Sequence, residues 1–317
     1  MARASPRKRD SAFPVLVSSP ATHRPLEEGL AVGRVAIVTD SASDFDPARA
    51  AALGIAIVPL IVTFGDDTYS AGVDLSTDEF WQKMTAPDAP FPKTAACSPG
   101  VFQTTYQEAF DDGADAIVSI HVADTLSGTI KAAQVAQATF KDREIHVVDS
   151  MGASMGEGIL AELGVQMANA GVGASEIANV LTRRRDDIGI YLALDTLEYL
   201  KRGGRISGAQ AAIGTLLSVK PIIEVRDGKV ETADRVRTRG KARERLIELL
   251  TQRPIERLSI LHTTNAGVEA FADELIARAG IDRSKVTIDL VGASVGPHLG
   301  TGCVGGVALY TEASRGA

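Results

Sequence analysis

The stretch Arg34–Ser43, RVAIVTDSAS, decides how the chain is read. Arg34–Thr39 is a short β-branched run of the kind that forms a buried strand. Asp40-Ser41-Ala42-Ser43-Asp44 is polar and rich in helix-capping residues. Pro47 then stands early in a helix predicted over Ala48–Leu53. Gly54 stops that helix, and Ile55–Val62 is expected as the second strand. A β–α–β opening favours a parallel sheet with helices on its faces.

The same rhythm continues downstream. Pro99–Phe110 reads as a helix, Ala116–His121 as a strand, Thr129–Phe140 as an Ala-rich helix and Glu144–Val148 as a strand. Gly158–Ala170 reads as a helix closed by Gly171. Beyond Gly173 the pattern changes. Ser175 is expected to cap a helix running to about Arg185, followed by a strand at Ile190–Leu194 and a helix at Ala209–Leu217. Asp227-Gly228 is a hairpin turn signal between Ile222–Arg226 and Lys229–Thr232. Gly240–Leu250 is an amphipathic helix, Leu258–Thr263 a strand, Ala266–Ala279 a helix, and Val286–Gly292 and Gly305–Tyr310 are strands. The fold class is α/β. With 317 residues, two domains are expected. We place them at 34–165 and 166–317, after a disordered basic leader at 1–33. That leader carries Arg3, Arg7, Lys8 and Arg9, and Pro14 and Pro20 interrupt its short apolar stretch, unlike a signal peptide.

The net charge of −7 argues against nucleic acid as a main partner. Cys97 and Cys303 form no metal or CxxC spacing and are expected as buried thiols of a reducing cytoplasm. No apolar run reaches the roughly 20 residues of a membrane span. The sequence has no GxxxxGK[ST] loop, no GxGxxG after the first strand and no GxSxG elbow.

Four polar clusters fall at strand ends or helix starts: Asp40–Ser43, Leu126–Thr129, Asp149-Ser150 and Thr94–Gly100. Small hydroxyl residues with free backbone N–H groups there suit an anionic head group; any one such cluster is more often a plain helix cap than a site, and four in one half of the chain shift that balance toward a site. Lys201, Arg202 and Arg205 surround a Gly pair, and Arg235, Arg237 and Arg239 would share one face of a strand. Both groups read as a docking surface for a phosphate-bearing or acidic partner, or as a solvated charged face. His298, flanked by glycines in Gly296–Gly302, suits a site-lining residue. A serine enzyme remains a second class, with Ser127 or Ser41 as nucleophile and His298 as base.

The motifs V-x-I-V-T-D-S-A at Val35–Ala42, V-P-L at Val58–Leu60, L-S-G-T at Leu126–Thr129 and V-D-S at Val148–Ser150 resemble, in order, the DegV family. So do L-E-Y-L-K-R-G-G-R-I-S at Leu197–Ser207, I-G-T-L-L-S-V-K-P-I at Ile213–Ile222 and H-L-G-T-G at His298–Gly302. The resemblance covers about residues 34–312. It implies two α/β domains with a long-chain fatty acid between them. It further implies a binding subunit, not itself an enzyme, that presents the acyl carboxylate to a separate ATP-dependent fatty acid kinase. The ligand is then the fatty acid, with no cofactor, and the setting is cytoplasmic, with room for peripheral membrane contact. A carrier or sensor of another small lipid or anion, acting without a kinase, is the alternative. Carried over by motif, the fatty-acid-binding residues are Thr63, Thr94, Ser98, Ser127, Gly128, Thr129 and His298. Arg202 and Arg205 match a basic motif for phosphate or partner. Two positions depart from the family pattern. Ala95 replaces the serine of T-S-Q-P-S, and Ala71 stands where an Asp often follows the Tyr.

Overall fold

The computed structural model describes residues 33–206, 219–263 and 267–314. Residues 1–32 of the expected leader and the helix expected at Ala209–Leu217 lie outside them.

The opening motif folds as its sequence directs. Strand β1 (Val35–Asp40) leads through a short turn into helix α1 (Pro47–Leu53), which Asp46 caps at Arg49 N. Gly54, at φ 68°, ends the helix in the left-handed region that glycine adopts without strain. The single strand expected over Ile55–Val62 is two. Strand β2 (Ile55–Val58) pairs parallel with β1, while β3 (Ile61–Phe64) enters another sheet. Pro59 stands between them and has no N–H for a ladder. β3 is the centre of a small antiparallel sheet with β4 (Asp67–Ser70) and β5 (Lys93–Ala95), backed by helix α2 (Thr77–Thr85).

After helix α3 (Pro99–Asp111), β6 (Ala116–His121), helix α4 (Thr129–Gln137) and β7 (Glu144–Asp149) complete a four-stranded parallel sheet in the order β2-β1-β6-β7. Helix α5 (Met155–Asn169) follows. Every residue from Met155 to Glu162 is buried, so the first two turns of the helix are enclosed on all sides. It packs on β1 and β6 and also reaches the second sheet, so one apolar core runs from Ile37, Val118 and Ile120 through Ile159 and Leu160 to Ile190, Leu192 and Val307. Burying each such side chain contributes about 1.5–3 kcal/mol.

Helix α6 (Ala174–Arg184) buries Ala174, Ile177, Ala178 and Leu181, an i, i+3, i+4, i+7 face. Its cap is Gly173; Ser175, expected as the cap, lies inside the first turn. Next come β8 (Ile188–Ala193), α7 (Glu198–Arg202), β9 (Lys220–Arg226), β10 (Lys229–Val236), α8 (Arg239–Leu250), β11 (Ile255–His262), α9 (Val268–Ala279), β12 (Val286–Leu290), the one-turn helix α10 (Gly296–Leu299) and β13 (Val304–Tyr310). The strands form a mixed six-stranded sheet in the order β10-β9-β8-β13-β11-β12. The β9–β10 hairpin turns at Asp227 (φ 49°) and Gly228 (φ 72°), the paired positive φ values that an Asp-Gly turn supplies. Strand β10 stops at Val236 and Arg239 begins α8, so Arg235, Arg237 and Arg239 do not share a strand face.

Polar ties join the two larger sheets. Glu162, on α5, is 5% exposed and accepts from Arg49 of α1 and from Arg257 of β11. Arg49 also holds Asp289 of β12 at 2.8 Å. Removing one member of a buried ion pair costs about 3–5 kcal/mol, less where the arginines stay partly solvated. Glu162→Ala is expected to lower the unfolding free energy by about 2–4 kcal/mol, as measured by denaturant titration, whereas the exposed Lys131→Ala leaves it within about 0.5 kcal/mol.

Candidate functional site

A cavity of about 770 Å³, its open mouth included, lies between the parallel sheet and the six-stranded sheet. Ala42, Val122, Leu126 and Ala153, from loops at the carboxyl ends of the parallel strands, form one wall. Ile190, Leu192, Ile223, Val225 and Val230, from β8, β9 and β10, form the other. Strand ends and loops are where open α/β sheets bind ligands.

The polar groups on this apolar wall are few. Thr94 Oγ1 and His298 Nε2 lie 2.9 Å apart. Arg205 and Ser127 also line the cavity. The Arg205 Nε donates to Leu126 O at 3.1 Å and its Nη1 to Gly203 O at 2.6 Å, which fixes the guanidinium at the wall. Burial, and then the Arg205 charge, push the His298 pKa down to about 4, so its imidazole is neutral at pH 7.

Glycines seat His298. A β-carbon on Gly203 would lie 2.2 Å from His298 Nδ1. A β-carbon on Gly296 would meet the Phe80 ring at 2.5 Å, and one on Gly300 (φ 70°) would meet Tyr199 at 2.3 Å. The one-turn helix α10 is thus wedged between α2 and α7, and the glycines of Gly296–Gly302 are there for close approach.

The expected site residues divide. Thr94, Ser127 and His298 line the cavity together with Arg205. Thr129 is buried beside them, its Oγ1 2.7 Å from Ser127 Oγ, and Gly128 begins α4 with its Cα side facing Ala96. Thr63 is not on the cavity wall. In the β3–β5 ladder it sits opposite Lys93, and alternation turns it to the face opposite Thr94; its hydroxyl lies 3.4 Å from Thr68. Ser98 is exposed at the start of α3 and makes no capping bond. Arg202 is exposed, its guanidinium 4.0 Å over the Phe91 ring, which in turn stacks on Tyr199. Ala95 does line the cavity, so the departure from the family serine falls on the wall itself.

Sequence reasoning missed Ser154, Ser294 and the apolar residues of β8–β10 as wall residues. The V-D-S motif pointed one turn too early. Ser150 bonds Gly152, and Asp149 accepts from Met151 N, so both shape the loop that carries Ser154.

Asp40 likewise shapes loops rather than facing the cavity. Its buried carboxylate accepts from Ala42 N (2.8 Å), Val122 N (3.2 Å) and His121 Nδ1 (3.0 Å). Tyr106 gives its proton to Ser119, which leaves the Ser119 proton for His121 Nε2. Glu157 accepts from Thr39 Oγ1 and Asp40 N; burial, then the Asp40 charge, hold its pKa far above the usual carboxylate range. Asp40, His121 and Glu157 have ligand-type atoms within 4.8 Å of one another, the spacing of a metal cluster. These hydrogen bonds account for Asp40 and His121 without one.

Among the described residues no serine bonds His298: Ser127 bonds Thr129 and Ser41 bonds Ser294. The expected pairing of Ser127 or Ser41 with His298 as base is therefore not formed. Cys97 and Cys303 are both free and buried; burial pushes the Cys97 thiol up to about 12 and the Cys303 thiol up as well. Among the described residues no helix is long and apolar enough to cross a membrane.

Residues 34–311 match the family model described as "Uncharacterised protein, DegV family". A DegV domain-containing protein of Streptomyces coelicolor is 37% identical, over 86% of this chain and 96% of its own length. The structure of a fatty-acid-binding DegV family protein from Thermus thermophilus superposes with a TM-score of 0.80 at 34% identity, covering 88% of this chain and all of that one. DegV, a fatty acid binding protein from Bacillus subtilis, superposes with a TM-score of 0.77 at 28% identity, covering 87% and 98%. On the extent of these matches, and on the motifs that carry them, the chain belongs to the DegV family.

Proposed function

We propose that this chain holds a long-chain fatty acid between two α/β domains, residues 34–165 and 166–317, and presents its carboxylate to a separate ATP-dependent kinase subunit in the cytoplasm. The observation that carries the reading is the cavity's division of labour. Its long wall is aliphatic, and its Thr94–His298 pair, Ser127 and Arg205 supply the polar groups for one head group. An acyl tail gains about 0.8 kcal/mol per buried CH₂, and a carboxylate gains about 1.5–3 kcal/mol from each charged hydrogen bond. The Thermus thermophilus and Bacillus subtilis relatives, which bind fatty acids, support the same ligand class.

Thr94 and Arg205 are the donors this reading assigns to the carboxylate, with neutral His298 orienting the Thr94 hydroxyl. Ser127, Gly128 and Thr129 form the neighbouring loop. Thr63 and Ser98 stand off the wall and take no direct part. Arg202, outside on its Phe91 platform, is placed to meet the phosphate or the partner.

Denaturing mass spectrometry of the purified protein is expected to release a stoichiometric long-chain fatty acid. A lipid-free protein that also takes up none on titration refutes the assignment. In fatty-acid titrations of delipidated protein, Thr94→Val and His298→Ala are each expected to weaken binding about tenfold, the equivalent of one charged hydrogen bond. Gly203→Ala is expected to match His298→Ala, because its methyl group displaces the imidazole. With a cognate kinase and ATP, Arg202→Ala is expected to lower acyl phosphate formation about tenfold while fatty-acid binding persists; equal loss of both places Arg202 in the lipid site instead.

A further inference from the structure

A second cavity, about 310 Å³ with its open mouth included, lies at one end of the six-stranded sheet, on the face turned away from the first. Ile190 and Leu192 of β8 line the large cavity. Ala193, the next residue, points the other way and packs with Val304 of β13 and Ala242 of α8. Among the described residues none lines both cavities. The charged residues of the second are Asp195, just after β8, Lys220 at the start of β9, and Arg239 and Arg243 at the start of α8.

Asp195 orients two of these cations. Lys220 Nζ donates to its Oδ1 and Arg239 Nη2 to its Oδ2, each at 2.8 Å. Burial opposes the charge on Asp195, but the hydrogen bonds from Lys220 and Arg239 outweigh it and hold the pKa below the usual carboxylate range. A β-carbon on Gly302 (φ 76°) would lie 2.4 Å from Asp195 Oδ2, so glycine there makes room for the carboxylate. Arg243 differs from the other two cations. It is half-buried, and among the described residues it forms no hydrogen bond or ion pair. Its guanidinium lies along Gly267, where a β-carbon would stand 3.4 Å from Nη2. A guanidinium drawn partly out of water with all its N–H donors unused calls for an acceptor. Three cations against one carboxylate leave the cavity with two net positive charges.

We infer that this cavity is a second binding site, for a phosphate-type dianion, with Arg243 as its main donor and Lys220 and Arg239, held in place by Asp195, completing the set of cations. The charge of such an ion matches the excess on the residues around it. A guanidinium meets two phosphate oxygens with two parallel N–H donors, which a compact ammonium does not. Asp195 costs some attraction for an anion, but it keeps the lysine and the arginine beside it from turning out to solvent. The ion is either free phosphate or the phosphate group of a larger molecule. The site shares no lining residue with the fatty-acid cavity and stands whether or not that cavity holds a lipid.

The full chain, purified without phosphate, is titrated at constant ionic strength with inorganic phosphate and with AMP, and its amide resonances are followed by NMR. Saturable binding of phosphate is expected, with the largest shifts at Arg243, Gly267 and Gly302. Arg243→Gln is expected to weaken it about tenfold, the loss of one charged hydrogen bond. Arg278→Gln, exposed on α9, is expected to leave it unchanged. Phosphate binding without AMP binding supports the site and assigns it to the free ion; binding of both supports it and assigns a phosphomonoester. Absence of saturable binding, equal binding of chloride, or an unchanged affinity in Arg243→Gln overturns the inference. Shifts of the wild-type protein that map to Arg202 and Arg205 instead place the phosphate at the head-group site and overturn it as well, a result that needs no variant to fold.

Discussion

The buried carboxylate of Asp40 is the constraint on which the cavity depends. It stands at the end of β1 with no exposed surface, and a charge there is tolerable only if donors surround it. The donors are Ala42 N, Val122 N and the His121 ring. Two of them belong to residues that line the cavity. The carboxylate therefore draws together the loops after β1 and β6, and His121 is itself anchored through Ser119 to Tyr106 on α3. Glu157 closes the arrangement from α5, the helix shared by both large sheets. A local motif, T-D-S, thus sets a wall that reaches across the molecule.

The opposite side of the site is set by absent side chains. Gly203, Gly296 and Gly300 admit an imidazole, a phenyl ring and a tyrosine at distances no β-carbon would allow. His298 sits on a helix of one turn, too short to hold a side chain rigidly by itself. Its orientation comes from Phe80 and Trp81 on one side and Tyr199 on the other, with the Trp81 indole donating to Val291 O at 2.8 Å. Burial keeps the ring neutral, so at this wall the positive charge is that of Arg205 and not of His298.

Much of this was legible in the sequence where the cause is local. β1, α1 and the Asp227-Gly228 hairpin follow from strand composition, Pro47, Gly54 and a turn dipeptide. The motif order also brought Thr94, Ser127 and His298 forward as partners, although no spacing rule links residues so far apart. What was not legible depends on three-dimensional register. Pro59 splits an apolar run and sends β3 to a separate sheet, and alternation in that sheet turns Thr63 away from Thr94. Arg239 leaves the expected strand because Thr238 caps a helix at Lys241. Ser175 loses the cap to Gly173, whose extended backbone needs no side-chain bond there. Ser154 had no signature, since a strained φ is imposed by packing and by the bond to Ala42.

Ala95 tests how much one polar contact matters in such a site. A serine hydroxyl there would add a charged hydrogen bond of about 1.5–3 kcal/mol. The tail contributes about 0.8 kcal/mol per buried CH₂, so two to four methylenes match that bond. On the proposed reading, a long acyl chain therefore retains most of its affinity without the hydroxyl, and the loss falls on orientation. That reading then leaves orientation to Thr94, 2.9 Å from His298, and to the Arg205 charge. The same arithmetic explains why a polar group on the aliphatic wall has weight out of proportion to its size.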